Sequence, residues 1–173
     1  MPDDRQAEHS DHEVDVVDAL DARLLLLLTD EPRLGVLECS RRLGVARGTV
    51  QARLDRLVAR AVLTGFPPAL DLAAMGYGLT AFAVLEIAQG GRQGVVRGLS
   101  AIDEVCEVHA TTGQGDLFAR LVARSNDDLQ RVIDEIVAVP GVRRMSTSIA
   151  LSTPVPPRVR PLLERVRRGR PAR

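Results

Sequence analysis

The chain has 173 residues, and its 23 basic and 23 acidic residues give a formal net charge of zero at pH 7. Hydrophobic residues make up 45% of the chain and aromatic residues 2%, so a core is feasible but must consist of Leu, Val, Ile and Ala, in one domain or two small ones. The longest aliphatic run, residues 24–28, is far shorter than the ~20 apolar residues of a transmembrane helix, which excludes a membrane-spanning protein.

The charge is unevenly distributed along the chain. Residues 1–31 are strongly acidic, residues 41–60 carry arginines against Asp55 alone, and residues 158–173 are basic again. Local charge of this kind indicates a polyanion partner. The N-terminus lacks the basic and then apolar pattern of a signal peptide, and Cys39 and Cys106 fit no metal spacing. We therefore expect a reduced, cytoplasmic and nucleoid-associated protein.

Three helices are predicted in the first half of the chain. Residues 1–14 lack apolar periodicity and are predicted to be a disordered acidic tail. The apolar spacing predicts helices over residues 16–28, 36–43 and 47–60, with Pro32 ending the first and Gly44 the second. Their predicted core residues are Val17, Leu20, Leu24, Leu27 and Leu28 in the first, Leu37 and Leu43 in the second, and Val50, Leu54, Leu57 and Val58 in the third.

The second and third helices are joined by a tight turn at Gly44 and Val45, the pattern of a helix-turn-helix, which places one helix in the DNA major groove. We predict base contacts from the start of the third helix, since arginine pairs with guanine, glutamine with adenine and threonine with the thymine methyl group. Flanking arginines are predicted to contact phosphates. The predicted DNA-binding residues are Arg41, Arg42, Arg47, Gly48, Thr49, Gln51, Ala52, Arg53 and Arg56. The alternative is a solvated helix face whose arginines pair with Asp55 or Glu38.

The second half of the chain has a different pattern of apolar residues. A short strand is predicted at residues 62–66, followed by a connector rich in Pro and Gly. Further strands are predicted over residues 79–87, 105–111, 117–123 and 142–151, and helices over 93–101 and 126–139, the latter with Asn126 as its N-cap. The last strand is expected to place Met145, Thr147, Ile149 and Leu151 on one face.

The β-α-β-β-α-β order of these elements is that of a ferredoxin-like fold. The predicted fold class is α+β: an N-terminal (winged) helix-turn-helix of three helices, then a ferredoxin-like βαββαβ domain. The predicted segments are the acidic tail (1–14), the helix-turn-helix domain (15–62), a linker (63–78), the ferredoxin-like domain (79–153) and a basic Pro/Arg tail (154–173). The arginines at 165, 167, 168 and 170 of this tail could add non-specific attraction to DNA, but we favour a disordered end. The first strand is apolar on both faces, so the face without helices predicts self-association.

Five short segments occur in the order and spacing of the Lrp/AsnC family of bacterial and archaeal transcriptional regulators, which the chain resembles over about residues 15–153. They are residues 20–25 (LDARLL), 41–45 (RRLGV), 53–57 (RLDRL), 112–116 (TGQGD) and 139–142 (VPGV). The resemblance implies a DNA-binding regulator, not an enzyme, whose βαββαβ domains pair into dimers and often assemble into octamers. It also implies that a small effector, commonly an amino acid, binds between dimers.

The resemblance places the effector at the turn between the second and third strands, where backbone N–H groups would hold its carboxylate and Asp116 its ammonium group. The candidate effector-binding residues are Thr111, Thr112, Gly113, Gln114 and Asp116. The residues themselves also fit plain turn chemistry, in which glycine supplies a positive φ and aspartate bonds the backbone. The chain departs from the family at Ala46, where a serine cap is usual, and at Gly115 and Leu117, near which aromatic residues are usual.

Two other functions stay open at this point. Some relatives of this architecture are decarboxylases acting on sirohaem, for which basic residues and histidine would be needed; the residues available are His109, Arg120, Arg124, Arg143 and Arg144, and no acid–base pair is evident. The other is a scaffold that organises DNA without an effector. We expect no cofactor, no metal and no catalytic residue, and as partners double-stranded DNA, further copies of the chain and a small-molecule effector.

Overall fold

The computed structural model describes residues 17–169, so the predicted tail at residues 1–14 and residues 170–173 lie outside the described residues. The chain forms two compact units: one runs to Pro67 and resumes at Pro157, and the other is Pro68–Pro156. The helices of the first unit are α1 (Ala19–Asp30), α2 (Val36–Leu43), α3 (Arg47–Ala59) and α6 (Arg160–Arg167). The elements of the second unit are β1 (Leu79–Ile87), α4 (Arg92–Ser100), β2 (Val105–Ala110), β3 (Leu117–Ala123), α5 (Asn126–Val137) and β4 (Val142–Ile149).

A capping box fixes the start of α1. The Asp18 carboxylate accepts hydrogen bonds from the N–H groups of Leu20 and Asp21, both at 2.8 Å, and the Asp21 carboxylate accepts one from the N–H of Asp18 at 3.3 Å. The helix therefore begins at Ala19, later than predicted, and it continues to Asp30. The core of the three-helix arrangement consists of Leu24, Leu25, Leu28, Cys39, Leu43, Val50 and Leu57.

Two residues predicted to face this core are exposed instead. Leu37 is 51% exposed and Val58 is 57% exposed. The inward stripe of α2 runs through positions 36, 39, 40 and 43, which leaves position 37 on the outer side, and that of α3 runs through 50, 54 and 57. The prediction that Leu37 and Val58 face the core is therefore wrong, because each lies beside the buried stripe of its helix and points outward.

The strand predicted at residues 62–66 is wrong, and the described residues between α3 and β1 contain no strand that would form a wing. The N–H groups of Val62 and Leu63 both donate to the carbonyl oxygen of Leu57, at 2.9 and 3.1 Å. They thus satisfy the end of α3 rather than a strand ladder, and the Leu63 side chain packs on the helical core.

The favoured disorder of the C-terminal tail is also wrong over residues 160–167, which form α6 and pack against α1. Pro161 lies in the first turn of this helix, where a missing N–H group has no cost. Leu163 packs on the core of the first unit. The composition rich in Pro and Arg indicates disorder, and the packing that stabilises this helix comes from α1, which is distant in the sequence.

The second unit confirms the ferredoxin-like prediction. Its four strands form one antiparallel sheet in the order β2-β3-β1-β4, with α4 and α5 packed on one face. Ala81, Ala83 and Leu85 alternate toward those helices, and they meet Leu121, Ala119 and Leu117 of β3 in register. The other face carries Phe82 and Phe118, whose rings stack with centroids 5.5 Å apart.

Two ends in this unit differ from the prediction. The Ser125 hydroxyl accepts a hydrogen bond from the N–H of Asp128 at 3.1 Å, so Ser125 rather than Asn126 caps α5, and this helix ends at Val137. Leu151 is 99% exposed and lies beyond β4, whose pairing with β1 ends where Ile149 meets Ala81.

Candidate nucleic-acid interface and effector cavity

The turn between α2 and α3 has the geometry of a helix-turn-helix. Gly44 adopts a left-handed conformation with φ of 70°, and its N–H group donates to the carbonyl oxygen of Ser40 at 2.9 Å. Ala46 precedes α3 and makes no side-chain cap, and the first turn of α3 carries no acidic residue. The positive end of the α3 dipole is therefore not neutralised by a side chain of that turn, which favours an anion there.

The N-terminal half of α3 exposes the residues predicted to contact bases. Arg47, Gly48, Thr49, Gln51 and Ala52 are all exposed, whereas Val50 and Leu57 of the same helix are buried. Within residues 17–169, the guanidinium of Arg47 makes no ion pair. The amide nitrogen of Gln51 donates to the Asp55 carboxylate at 2.8 Å, so a base contact by this amide group would replace that bond.

The two arginines in the middle of α3 are paired with acids of α1. Arg53 donates to the carboxylates of Asp18 at 2.6 Å and Asp21 at 2.7 Å, and Arg56 donates to both oxygens of Asp21 at 2.9 and 2.7 Å. Asp21 is only 2% exposed, so this cluster fixes α3 against the start of α1. Partial burial alone would raise the pKa of Asp18, but the hydrogen bonds from Arg53 and two backbone amides hold that pKa below its ordinary value.

The two arginines at the end of α2 differ in how strongly neighbouring carboxylates hold them. Arg41 is 69% exposed and lies 3.7 Å from Glu38. Arg42 donates to the carboxylate of Glu31 and, at 3.0 Å, to that of Glu38, and these bonds raise the pKa of Arg42 above its ordinary range. Among the four arginines predicted to contact phosphates, Arg41 is therefore the one that is least held by other side chains.

Asp116, in the turn between β2 and β3, binds this turn to the backbone of β1. Its carboxylate accepts a hydrogen bond from the N–H of Ile87 at 2.8 Å, where the pairing of β1 and β4 shifts register, and its own N–H donates to the carbonyl oxygen of Leu85 at 2.8 Å. Gly113 has a φ of +106° and Gly115 a φ of +87°. This half-buried aspartate thus has the structural role that turn chemistry predicts.

A cavity of about 430 Å³ lies beside this turn on the helix-free face of the sheet. Its lining residues are Val84, Glu86, Gln114, Gly115, Arg144 and Ser146. Gln114 alone of the five predicted effector residues lines it; Thr111, Thr112 and Gly113 are exposed on the turn. Glu86 and Arg144 are register partners whose charged groups lie 3.9 Å apart, so the cavity carries one acid and one base.

The sequence did not predict that Glu86 and Arg144 line a cavity beside this turn. A fixed strand order and register bring them together, since β1 lies between β3 and β4. The βαββαβ order alone would have suggested that β1 and β4 are neighbours, but a one-residue slip in register would have separated the pair.

The basic residues considered for a sirohaem-type enzyme are not gathered into one site. Arg120 and His109 both contact Glu107, at 2.9 and 3.4 Å, and these contacts lower the pKa of that carboxyl. Arg124 pairs with Asp128 at 3.2 Å, at the start of α5. Arg144 lies instead beside Glu86, so these cations are divided among separate ion pairs.

Comparison with known proteins identifies the family. Residues 17–58 match the AsnC-type helix-turn-helix domain, and residues 80–159 match the Lrp/AsnC ligand binding domain. An uncharacterized HTH-type transcriptional regulator of Pyrococcus furiosus is 33% identical over 136 residues, which cover 78% of this chain and 91% of that protein. The chain belongs to the Lrp/AsnC family of transcriptional regulators. The resemblance seen in the five short segments is thereby confirmed.

Further known proteins are similar to this chain over most of its length. The HTH-type transcriptional regulator FL11 of Pyrococcus horikoshii is 28% identical over 137 residues, covering 79% of this chain and 91% of that protein. The solved structure of Escherichia coli AsnC covers 84% of this chain and 99% of its own, with a TM-score of 0.78 and 26% identity. The feast or famine regulatory protein of M. tuberculosis, solved in complex with L-methionine, has the same fold, with a TM-score of 0.74, 24% identity, and coverage of 83% of this chain and 98% of its own.

The C-terminal helix falls outside the Lrp/AsnC match. The matched ligand binding domain ends at residue 159, and α6 begins at Arg160. Across residues 17–169, no helix is long and apolar enough to cross a membrane.

Proposed function

We propose that this Lrp/AsnC regulator recognises a specific duplex sequence on the chromosome through the N-terminal half of α3. The observation that carries the proposal is the exposure of Arg47, Thr49 and Gln51 in the first turns of α3, while Val50 of the same turns is buried. Arg47 makes no ion pair within the described residues, so its guanidinium is available to a guanine. The flanking Gly48 and Ala52 are small enough to permit a close approach to the groove floor.

We assign different roles to the four other arginines. Arg41 and Arg42 flank the turn and are proposed to contact phosphates, for which Arg42 exchanges Glu31 or Glu38 for a phosphate oxygen. Arg53 and Arg56 are proposed as positioning residues, because Asp21 already satisfies both of them. This division leaves two arginines of the helix-turn-helix in contact with phosphates instead of four, so the helix-turn-helix by itself contributes a weaker salt dependence.

Fluorescence anisotropy with two DNA duplexes tests the proposal. One duplex comes from the region upstream of the protein's own coding sequence, and the other is a scrambled duplex of the same composition. We expect the first to bind at least about a thousandfold more tightly at physiological salt. Equal affinity for this duplex, for other upstream regions and for the scrambled duplex would contradict sequence-specific regulation and favour a scaffold that organises DNA.

We further propose that an amino acid modulates the protein by binding in the cavity beside Gln114. Arg144 and Glu86 present opposite charges there, and these suit the carboxylate and the ammonium group of a zwitterion. The L-methionine complex of the M. tuberculosis protein of the same fold supports this class of ligand. Thr111, Thr112, Gly113 and Asp116 then shape the turn that borders the cavity, with Asp116 acting through its bond to Ile87.

Calorimetry with each of the twenty amino acids tests the effector proposal. At least one should release or absorb heat on binding, and the variants Glu86→Gln and Arg144→Gln should each weaken it, because one charge of the zwitterion loses its partner. Arg143→Gln is the matched control, since Arg143 is an exposed neighbour that does not line the cavity. No heat from any amino acid would favour the effector-independent scaffold.

Self-association through the helix-free face of the sheet is the third part of the proposal. The stacked Phe82 and Phe118 lie half-buried on this face of a single chain, and a second copy would cover them. Analytical ultracentrifugation should show a dimer or a larger assembly such as an octamer. Phe118→Asp should shift it toward monomer, whereas Val137→Asp, on an exposed position of α5, should not.

A further inference from the structure

The C-terminal helix α6 gives the first unit a surface that the matched Lrp/AsnC domains do not include. It packs against α1 and lines a groove of about 220 Å³ with it. The α1 residues of this groove, Arg23, Leu26, Leu27 and Asp30, follow the i, i+3, i+4, i+7 spacing of one helix face. This second apolar face explains why α1 carries an unbroken run of leucines, since Leu24, Leu25 and Leu28 face the three-helix core.

The charges in the groove do not cancel. Arg160 donates to both oxygens of Asp30, at 2.7 and 3.1 Å, and lies 3.4 Å from Glu164, so one arginine occupies both acids of the groove. Arg23 and Arg167 are left without an acid among the described residues; Arg23 donates to the carbonyl oxygen of Leu43 at 3.2 Å. Arg168 follows directly, and it is exposed without an ion pair in the described part of the chain.

The groove lies at the end of α2 that leads into the helix-turn-helix turn. Arg42 and Leu43, the last residues of α2, line it together with Arg167 of α6. Gly44 follows at once, and α3 begins three residues later at Arg47. The free guanidinium groups of α6 are therefore beside the element that delivers α3 to DNA.

We propose that α6 is a second DNA-contacting element, in which Arg167 and Arg168, with Arg23, bind phosphates of the duplex next to the segment that α3 reads. The proposal rests on the DNA binding proposed above and adds a contact outside the helix-turn-helix. Duplex phosphates are the favoured ligand because the groove carries a net positive charge and lies at the end of the DNA-reading motif. Such contacts add affinity without base specificity.

The experiment compares three variants of the full chain by fluorescence anisotropy. The salt concentration runs from about 50 to about 400 mM, a range over which binding through phosphate contacts weakens steeply. Arg167→Gln/Arg168→Gln should weaken binding roughly tenfold on both the specific and the scrambled duplex. The slope of log affinity against log salt should fall by about 2, because two phosphate contacts are lost. Arg167→Lys/Arg168→Lys keeps the charge and should bind within about threefold of the original chain.

The matched control is Arg92→Gln/Arg97→Gln, which removes two exposed arginines of α4 in the other unit and should leave the salt slope unchanged. Unfolding temperatures equal to that of the original chain show that α6 stays packed. A glutamine variant with the original slope and affinity would overturn the proposal. An equal fall in slope for the α4 control would also overturn it, because the effect would then reflect net charge alone. Absence of specific binding by the original chain would instead refute the proposed function.

Discussion

Asp21 is the residue on which the orientation of α3 depends most. It is 2% exposed, it accepts three hydrogen bonds from Arg53 and Arg56, and it completes the capping box of α1. One carboxylate thus ties the start of the first helix to the middle of α3. In the proposed function, Asp21 acts by fixing the orientation of α3 rather than by contacting DNA.

Replacing this carboxylate by an amide tests that role. Asp21→Asn should lower the free energy of unfolding by about 1–3 kcal/mol, since two cationic groups lose a buried anionic partner. Asp55→Asn is the matched control, because Asp55 is exposed and bonds only Gln51 among the described residues; it should cost less than about 0.5 kcal/mol. Urea unfolding at pH 7 measures both, and equal stabilities of the two variants would contradict the anchoring role.

Gly115 and Gly113 lie in one turn but face different constraints. Both have a positive φ, but a Cβ added at Gly115 would lie 2.3 Å from Cγ1 of Val84, whereas one at Gly113 would meet nothing within 4 Å. The glycine at position 115 therefore permits the close approach of this turn to β1.

The two alanine variants separate backbone strain from overlap. Gly113→Ala should cost about 1 kcal/mol, from the left-handed backbone alone. Gly115→Ala should cost about 1–3 kcal/mol more, because Val84 or the turn must also move. Thermal unfolding of the two variants gives the difference, and a Gly115→Ala variant as stable as Gly113→Ala would show that the turn is looser than described.

At the scale of elements, the C-terminal helix is part of the first unit rather than a loose tail. Leu163 is half-buried against the core of that unit, and its neighbour Leu162 is 63% exposed. Leu163→Ala should reduce the free energy of unfolding by about 1–3 kcal/mol through lost burial, whereas Leu162→Ala should change it by less than about 0.5 kcal/mol. Chemical denaturation distinguishes them, and a neutral Leu163→Ala would mean that α6 adds nothing to the stability of the unit.

The elements also show what periodicity can predict. The spacing of apolar residues predicts the three helices described between residues 17 and 60 and the four strands of the sheet, because each buries one regular face. Residues 62–66 look like a strand, but the N–H groups of Val62 and Leu63 are used by the end of α3, which apolar content cannot reveal. The helix α6 was missed because its packing on α1 joins residues 130 positions apart, as the bond from Arg160 to Asp30 does.

The candidate site was predictable only in part, for the same reason. The spacing of apolar residues identified the exposed face of α3, because that face depends on the sequence of a single helix. The pairing of Arg53 and Arg56 with Asp18 and Asp21 depends on how α1 packs on α3, and the facing of Glu86 and Arg144 depends on strand register. Residue type and spacing therefore identified which side chains carry charge, but not which of those charges are already paired.

At the scale of the whole molecule, a net charge of zero conceals surfaces that are locally basic. Asp21 of α1 pairs with Arg53 and Arg56 of α3. Asp30 and Glu164 both pair with Arg160. What is left exposed and unpaired within the described residues of the first unit includes Arg47, Arg167 and Arg168. The protein can thus be neutral overall and still present cations where a duplex would lie.

The ratio of specific to non-specific affinity for the variant Arg47→Ala/Gln51→Ala tests the central claim most directly. We predict that this ratio falls by roughly 30- to 1000-fold, because two base contacts are lost, while affinity for scrambled DNA and the unfolding temperature stay close to those of the original chain. A variant that folds normally and keeps the original ratio would contradict the claim that the N-terminal half of α3 reads DNA.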